Sequence, residues 1–252
     1  MIYSLIICGL LAFLTTFFAT KWFIRYARLI DLVVKDQNKE NNPLVPISGG
    51  IAVMAGMFIG ISSFIFYISF FGNGFDPYLN NKSTVFLFAS LISILMITFI
   101  GFVDDLIIKR NKESSAGLKQ WQKPLLTFVA AIPLVVVNVG VTTMQFPLLG
   151  RIDIGLFYPL LLVPLGVVGA ANMVNMLAGF NGLESGMGLV YTGMLGLYAY
   201  SNGRNTAALI AFMTFCSLLA FFYFNKYPAS IFPGDSLTYL LGAVIASIAI
   251  IG

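Results

Sequence analysis

The sequence contains no histidine and only two cysteines in 252 residues. The missing histidine removes Ser-His-Asp and Cys-His catalysis, imidazole proton shuttles and His-ligated zinc. Cys8 and Cys216 both sit inside apolar runs, which excludes a disulfide framework. Charge is scarce as well: Asp, Glu, Lys and Arg make up 10% of the chain, against roughly 25% in a soluble domain. Hydrophobic residues make up 59% and the mean hydropathy is +0.92. That balance excludes an ordinary globular enzyme, a disordered tail and a collagen-like fibre. The net charge of +4 is too small and too confined to two loops for a nucleic-acid binder.

What is present is a series of long apolar runs, at about 2–23, 47–71, 84–103, 124–143, 156–178, 186–200, 207–224 and 237–252. A bilayer core about 30 Å thick needs about 20 apolar residues of helix. Backbone polar groups cannot go unpaired in lipid, so these runs must be helical. The expected fold is all-α, a polytopic membrane bundle of about eight transmembrane helices forming one domain over 1–252. The first run is not a cleavable signal peptide, because its basic residues follow it rather than precede it. Pro159 and Pro164 predict kinks in the fifth run. If eight helices alternate, 11 of the 14 basic residues fall on one side, leaving Lys82, Arg151 and Arg204 opposite. The basic side should be cytoplasmic, with the N-terminus outside or luminal. Eight of the ten acids share that side. The positive-inside rule does not ask this of acids, so a polar chemistry is expected there.

Four segments on that side carry costly polar groups. Gly101-Phe102-Val103-Asp104-Asp105 closes an apolar helix with two carboxylates, which the helix dipole disfavours by roughly 0.3–1 kcal/mol. Interfacial acids balanced by Lys109 and Arg110 are the bland alternative. Asn172 and Asn175 share a helix face and lead into Ala178-Gly179-Phe180-Asn181-Gly182-Leu183-Glu184. Interhelical hydrogen bonding accounts for Asn172 without further function. Phe232-Pro233-Gly234-Asp235-Ser236 places Asp235 where an N-cap would sit. The loop from Lys35 to Pro43 is rich in charge, and Gly49-Gly50 opens the next helix, where free N–H groups suit anions. Oxygen ligands without His or Cys favour Mg²⁺ or Mn²⁺. Lysines beside them favour phosphates, and phosphoryl transfer needs chiefly positioning and charge neutralisation.

These motifs, in this order, resemble the polyprenyl-phosphate N-acetylhexosamine-1-phosphate transferase superfamily, glycosyltransferase family 4 type, over essentially the whole chain. Ala178 to Glu184 and Tyr227-Pro228 resemble the eukaryotic and archaeal branch that uses UDP-N-acetylglucosamine and dolichyl phosphate. The resemblance implies transfer of GlcNAc-1-phosphate from UDP-GlcNAc to a polyprenyl or dolichyl phosphate, releasing UMP. This would be the first membrane step of lipid-linked oligosaccharide assembly for N-glycosylation, at an archaeal plasma membrane or an endoplasmic reticulum membrane. It implies Mg²⁺, with Mn²⁺ able to replace it, held by Asn175 and Asp235. Asp104 and Asp105 would lie beside the lipid phosphate, and Lys123 would neutralise phosphate charge. Asn181, Gly179 and Phe232 would face the uracil, and Lys35, Asp36, Asn38 and Lys39 would border the nucleotide. The partners implied are the nucleotide sugar, the lipid phosphate and the bilayer, with a homodimer left open.

This chain departs from the family at Ile47, where an acid is usual, and at Ile108, where a polar residue is common. The family also continues for two or more helices and a basic loop, so the resemblance implies that the C-terminal helices are missing. A partial or inactive homologue acting as a membrane partner subunit is the alternative reading. A solute transporter is a weaker one, since it predicts charges near mid-membrane and inverted repeats.

Overall fold

In the computed structural model the described residues are 2–37, 39–71, 81–110, 117–138, 140–146 and 150–252. The helices are α1 (Ile2–Leu29), α2 (Gly50–Phe71), α3 (Asn81–Arg110), α4 (Gln122–Ala130), α5 (Ile132–Val137), α6 (Val163–Met176), α7 (Leu183–Ser201), α8 (Asn205–Asn225) and α9 (Gly234–Ile251). Six segments are long and apolar enough to cross a bilayer: Tyr3–Leu29, Gly50–Phe71, Lys82–Ile108, Tyr158–Met176, Asn205–Asn225 and Gly234–Ile251. The chain is a helical integral membrane protein.

Apolar side chains populate both the interior and the outer faces. Along α1, Tyr3, Ile6, Leu10, Phe18 and Trp22 are exposed, while Cys8, Ala12, Phe23 and Ala27 are buried. Outward-facing apolar residues of this kind suit hydrocarbon surroundings and would be costly in water. α9 is the central helix. Every residue from Ser236 to Val244 is buried, and α9 packs against α2, α3, α6, α7 and α8. A helix buried all round must be apolar all round, so the few polar residues that α9 carries are held by partners.

Four features differ from the pattern of eight simple spans. The fourth run is broken into α4 and α5 at Ala131, just before Pro133, whose ring and missing N–H oppose a continuous helix. α7 forms, but its glycines, serines and tyrosines leave it outside the six apolar spans. Two short antiparallel hairpins add strand to the expected all-helical fold. One pairs β1 (Val33–Lys35) with β2 (Leu44–Pro46), and the other pairs β3 (Thr143–Phe146) with β4 (Gly150–Asp153). Finally, α3 continues to Arg110, so Asp104 and Asp105 lie inside the helix rather than at its end. Where kinks were expected, Pro159 sits in a π-helical turn, Tyr158–Leu162, and Pro164 lies in the first turn of α6.

Candidate active site

The basic-side loops converge. The first loop meets the last through Phe232 N–H donating to the Pro46 carbonyl at 2.7 Å, and Gly49 N–H donating back to the Phe232 carbonyl at 3.1 Å. Gly50 N–H donates to the Pro233 carbonyl at 3.3 Å. The N–H groups that open α2 are therefore engaged by the loop before α9, and are not free for an anion as the sequence had suggested.

Asp235, in the first turn of α9, is the hub of a charged cluster. Lys123 Nζ lies 2.9 Å from Asp235 Oδ2 and also ion-pairs with Asp104 Oδ2. Asn175 Nδ2 donates to Asp235 Oδ2 at 3.3 Å, and Asn175 Oδ1 accepts from the Thr238 hydroxyl at 2.7 Å. Asp104 Oδ1 also accepts the Leu118 N–H. Side chains from α3, α4, α6 and α9 thus meet around one ammonium. Burial would pull the Lys123 ammonium below its ordinary value, but Asp235 and Asp104 outweigh it and hold it above that value. Lys123 therefore stays charged at any physiological pH.

Asp105 does a different job from Asp104. It is buried and accepts three hydrogen bonds: from Ser48 Oγ at 2.6 Å, Asp235 N–H at 2.8 Å and Ser236 N–H at 3.2 Å. α9 has no side-chain cap of its own, and Asp235 does not serve as one. The orphan N–H groups of its first turn are capped across the bundle by Asp105, where a carboxylate is favoured. Gly234 turns the chain into α9 at φ +68°. A Cβ there would lie 2.7 Å from Ser48 N and 2.9 Å from Asp105 Oδ1, so only glycine fits.

A second polar group lies on the first loop. Asp36 Oδ2 pairs with Lys39 Nζ at 3.0 Å and accepts from Asn181 Nδ2 at 3.4 Å. Lys39 Nζ also reaches the Ala229 carbonyl at 3.5 Å. Gly179 N–H donates to Glu184 Oε1 at 2.7 Å, fixing the turn that carries Asn181. Among the described residues, Asn181 Oδ1 is buried without a hydrogen-bond partner.

The structure brings Asp104, Asp105, Lys123, Asn175 and Asp235 into one cluster and Asp36, Lys39 and Asn181 into another. Lys35 is exposed on β1 and touches neither through a described side-chain bond, Phe232 bonds Pro46 and Gly49 through its backbone, and Asn38 lies outside the described residues. Asn172 bonds Tyr239 at 3.2 Å and Thr127 at 3.3 Å, matching the interhelical role expected of it. Ser48 and Thr238 were not anticipated. Each is a small hydroxyl at a helix start, and its position next to Gly49-Gly50 or three residues after Asp235 was the only signal.

Residues 87–252 match the family model described as glycosyl transferase family 4. The chain is 36% identical over 248 residues to a Saccharolobus solfataricus protein provisionally named as a UDP-N-acetylglucosamine–dolichyl-phosphate N-acetylglucosaminephosphotransferase, covering 96% of this chain and 70% of that one. It is 32% identical to a Sulfolobus acidocaldarius protein of the same provisional name, covering 99% and 71%. A phospho-N-acetylmuramoyl-pentapeptide-transferase from Streptococcus thermophilus is 29% identical, covering 97% and 71%. This membrane bundle, with its carboxylate–lysine cluster at one end, is a transferase by kinship. The chain belongs to glycosyl transferase family 4.

Proposed function

We propose that this protein transfers GlcNAc-1-phosphate from UDP-GlcNAc to a polyprenyl phosphate of the dolichyl type, releasing UMP at the cytoplasmic face. The observation that carries this reading is the meeting of Asp104, Lys123, Asn175 and Asp235 from four helices around a single cationic centre. Greater identity to the GlcNAc-phosphotransferases than to the muramoyl-pentapeptide enzyme supports the choice of sugar. Such a reaction would open lipid-linked oligosaccharide assembly for N-glycosylation.

The donor set suits a hard divalent ion. Carboxylate and amide oxygens are present, the sequence has no imidazole, and the Lys123 ammonium already takes a cation's place between two carboxylates. Among the described residues no group of three Asp, Glu, His or Cys could hold a metal. That fits Mg²⁺, which is usually bound through one or two carboxylates plus substrate phosphates. Asp235 and the Asn175 amide oxygen would hold it, the amide being turned from its present hydrogen bond. When bound, Mg²⁺ supplies charge neutralisation to a pyrophosphate.

The chain's own residues do the rest. Lys123 faces phosphate oxygens and offsets the charge that builds as the bond rearranges. Asp104, tied to Lys123, orients the lipid phosphate. An oxygen of that phosphate attacks the β-phosphorus of UDP-GlcNAc, forming the new pyrophosphate bond. The bond from the β-phosphorus to the bridging oxygen breaks, and its electron pair leaves on UMP. Asp105 does not reach reactants; it holds Asp235 in place. Asp36, Lys39 and Asn181 border the nucleotide.

The test is incubation of membranes containing this chain with UDP-GlcNAc, Mg²⁺ and dolichyl phosphate. UMP and a GlcNAc-diphospho-lipid are expected in equal amounts. Product only from UDP-N-acetylmuramoyl-pentapeptide would overturn the choice of sugar, and no product from either donor would favour a partner-subunit role.

A further inference from the structure

Glu184 closes the motif 178–184 and takes no part in the proposed reaction, yet this ionisable side chain is only 7% exposed. It lies in the first turn of α7, where the helix dipole favours an acid. That benefit requires neither burial nor a particular partner. In a capping box the acid reaches back to the N-cap N–H of its own helix. Glu184 instead reaches past the N-cap residue, Gly182, and accepts the N–H of Gly179 at 2.7 Å. Its other oxygen, Oε2, is buried without a hydrogen-bond partner among the described residues. Burying a carboxylate in this way is unfavourable, so the stability of α7 alone does not account for it.

The bond to Gly179 spans the turn between α6 and α7, joining one arm to the other. The turn is otherwise open: Leu177, Ala178, Gly179 and Phe180 are all exposed. A Cβ on Gly179 would meet nothing within 4 Å, which leaves room for a flat group to approach the backbone closely. Asn181, at the tip, meets Asp36 of the first loop at 3.4 Å. The far end of the brace is fixed independently. Ser185 Oγ donates to Asn225 Oδ1 at 2.5 Å, and Asn225 Nδ2 donates to the Ile231 carbonyl at 3.0 Å. Ser185 and Asn225 are both fully buried. The first turn of α7 is thus anchored to α8 and to the loop before α9 without help from Glu184.

We propose that Glu184 is a positioning residue of the nucleotide site: by holding the Gly179 N–H it sets the turn from which Gly179 and Asn181 face the uracil nucleotide. This rests on the reading of Asp36, Lys39 and Asn181 as the nucleotide side. A turn fixed in advance need not be ordered on binding. Glu184 therefore acts on nucleotide affinity and not on the bond-making step.

The experiment uses the full chain purified in detergent, with UDP and Mg²⁺ as the probe, no acceptor lipid, and calorimetry as the readout. Glu184→Met keeps the buried volume and removes the acceptor. UDP affinity should fall by about tenfold, the worth of one hydrogen bond no longer held ready. Glu184→Gln keeps an oxygen for Gly179 and should recover most of that loss. In UMP-release assays Glu184→Met should raise KM for UDP-GlcNAc by a similar factor and leave KM for dolichyl phosphate within twofold. Combined with Asn181→Ala, it should lose less than the product of the two separate losses, because one residue acts through the other. If Glu184→Met does not fold, Glu184→Asp, one carbon short of Gly179, is read in the same way. Affinity within twofold of the parent, equal losses in the Met and Gln variants, equal rises in both KM values, or fully multiplicative losses would each overturn the positioning role. A parent chain that does not bind UDP would overturn the functional reading, and this inference with it.

Discussion

Gly101→Ala should separate positioning from folding. Gly101 lies in α3, one helical turn before Asp105, where α3 crosses the start of α9. A Cβ at this position would sit 2.6 Å from the Asp235 carbonyl carbon and 2.8 Å from Ser236 N. Both obstacles are backbone and cannot rotate away. Restoring ordinary contact requires the first turn of α9 to withdraw by about 1 Å, since the Asp235 carbonyl oxygen lies nearer still and a packed interior has no spare room. Overpacking of this size costs about 1–3 kcal/mol, which a folded bundle can absorb. Catalysis is less tolerant: a misplacement of about 1 Å near a reacting centre costs on the order of 10²-fold. For Gly101→Ala we expect kcat for UMP release to fall by roughly 30- to 100-fold, with KM for UDP-GlcNAc changing far less. Gly166→Ala is the control, because a Cβ there meets nothing within 4 Å. Both variants would be purified in detergent, checked by thermal unfolding and assayed for UMP with dolichyl phosphate. A folded Gly101→Ala protein with kcat within twofold of its parent would refute the claim that this close approach sets the position of Asp235.

Lys123→Met leaves Asp104 and Asp235 facing each other without their shared cation; turnover should drop by about 10²- to 10³-fold, and a change below threefold would remove Lys123 from the phosphate site. Ser48→Ala deletes one hydrogen bond to a buried carboxylate and should cost about 1.5–3 kcal/mol of stability, read as a lowered midpoint in thermal or denaturant unfolding. Gly234→Ala forces a side chain into left-handed backbone and against Asp105; it should be inactive or poorly folded, and a stable, active Gly234→Ala enzyme would contradict the capping geometry. Asn181→Ala removes a side chain that meets Asp36 but not the carboxylate cluster. It should therefore raise KM for UDP-GlcNAc while leaving kcat within a few-fold, as separate saturation curves would reveal.

The membrane bundle was legible because lipid enforces a simple code. Runs such as 47–71 and 207–224 admit no reading but helix, and they correspond to Gly50–Phe71 and Asn205–Asn225. The code fails where local chemistry intervenes. Pro133 splits the fourth run, and hairpins of three or four residues are too short for alternation to register. The charged residues of the site were legible because a carboxylate or amide at the end of an apolar run is costly enough to need a reason. The division of labour between Asp104 and Asp105 was not. Asp105 caps a helix through the N–H of Asp235, 130 residues later, and no local pattern encodes such a contact. Ser48 and Thr238 escaped for a related reason: a lone hydroxyl in an apolar sequence is cheap, and its partner exists only in three dimensions.

The account turns on Asn175 and Asp235 acting together on a divalent ion and the pyrophosphate it neutralises. The direct measurement is a Mg²⁺ titration of UMP release by the parent chain and by Asn175→Ala. Loss of one oxygen ligand should raise the half-saturating Mg²⁺ concentration by about tenfold or more, with the maximal rate partly recovered at high Mg²⁺. Superimposable curves for the two proteins would contradict the assignment.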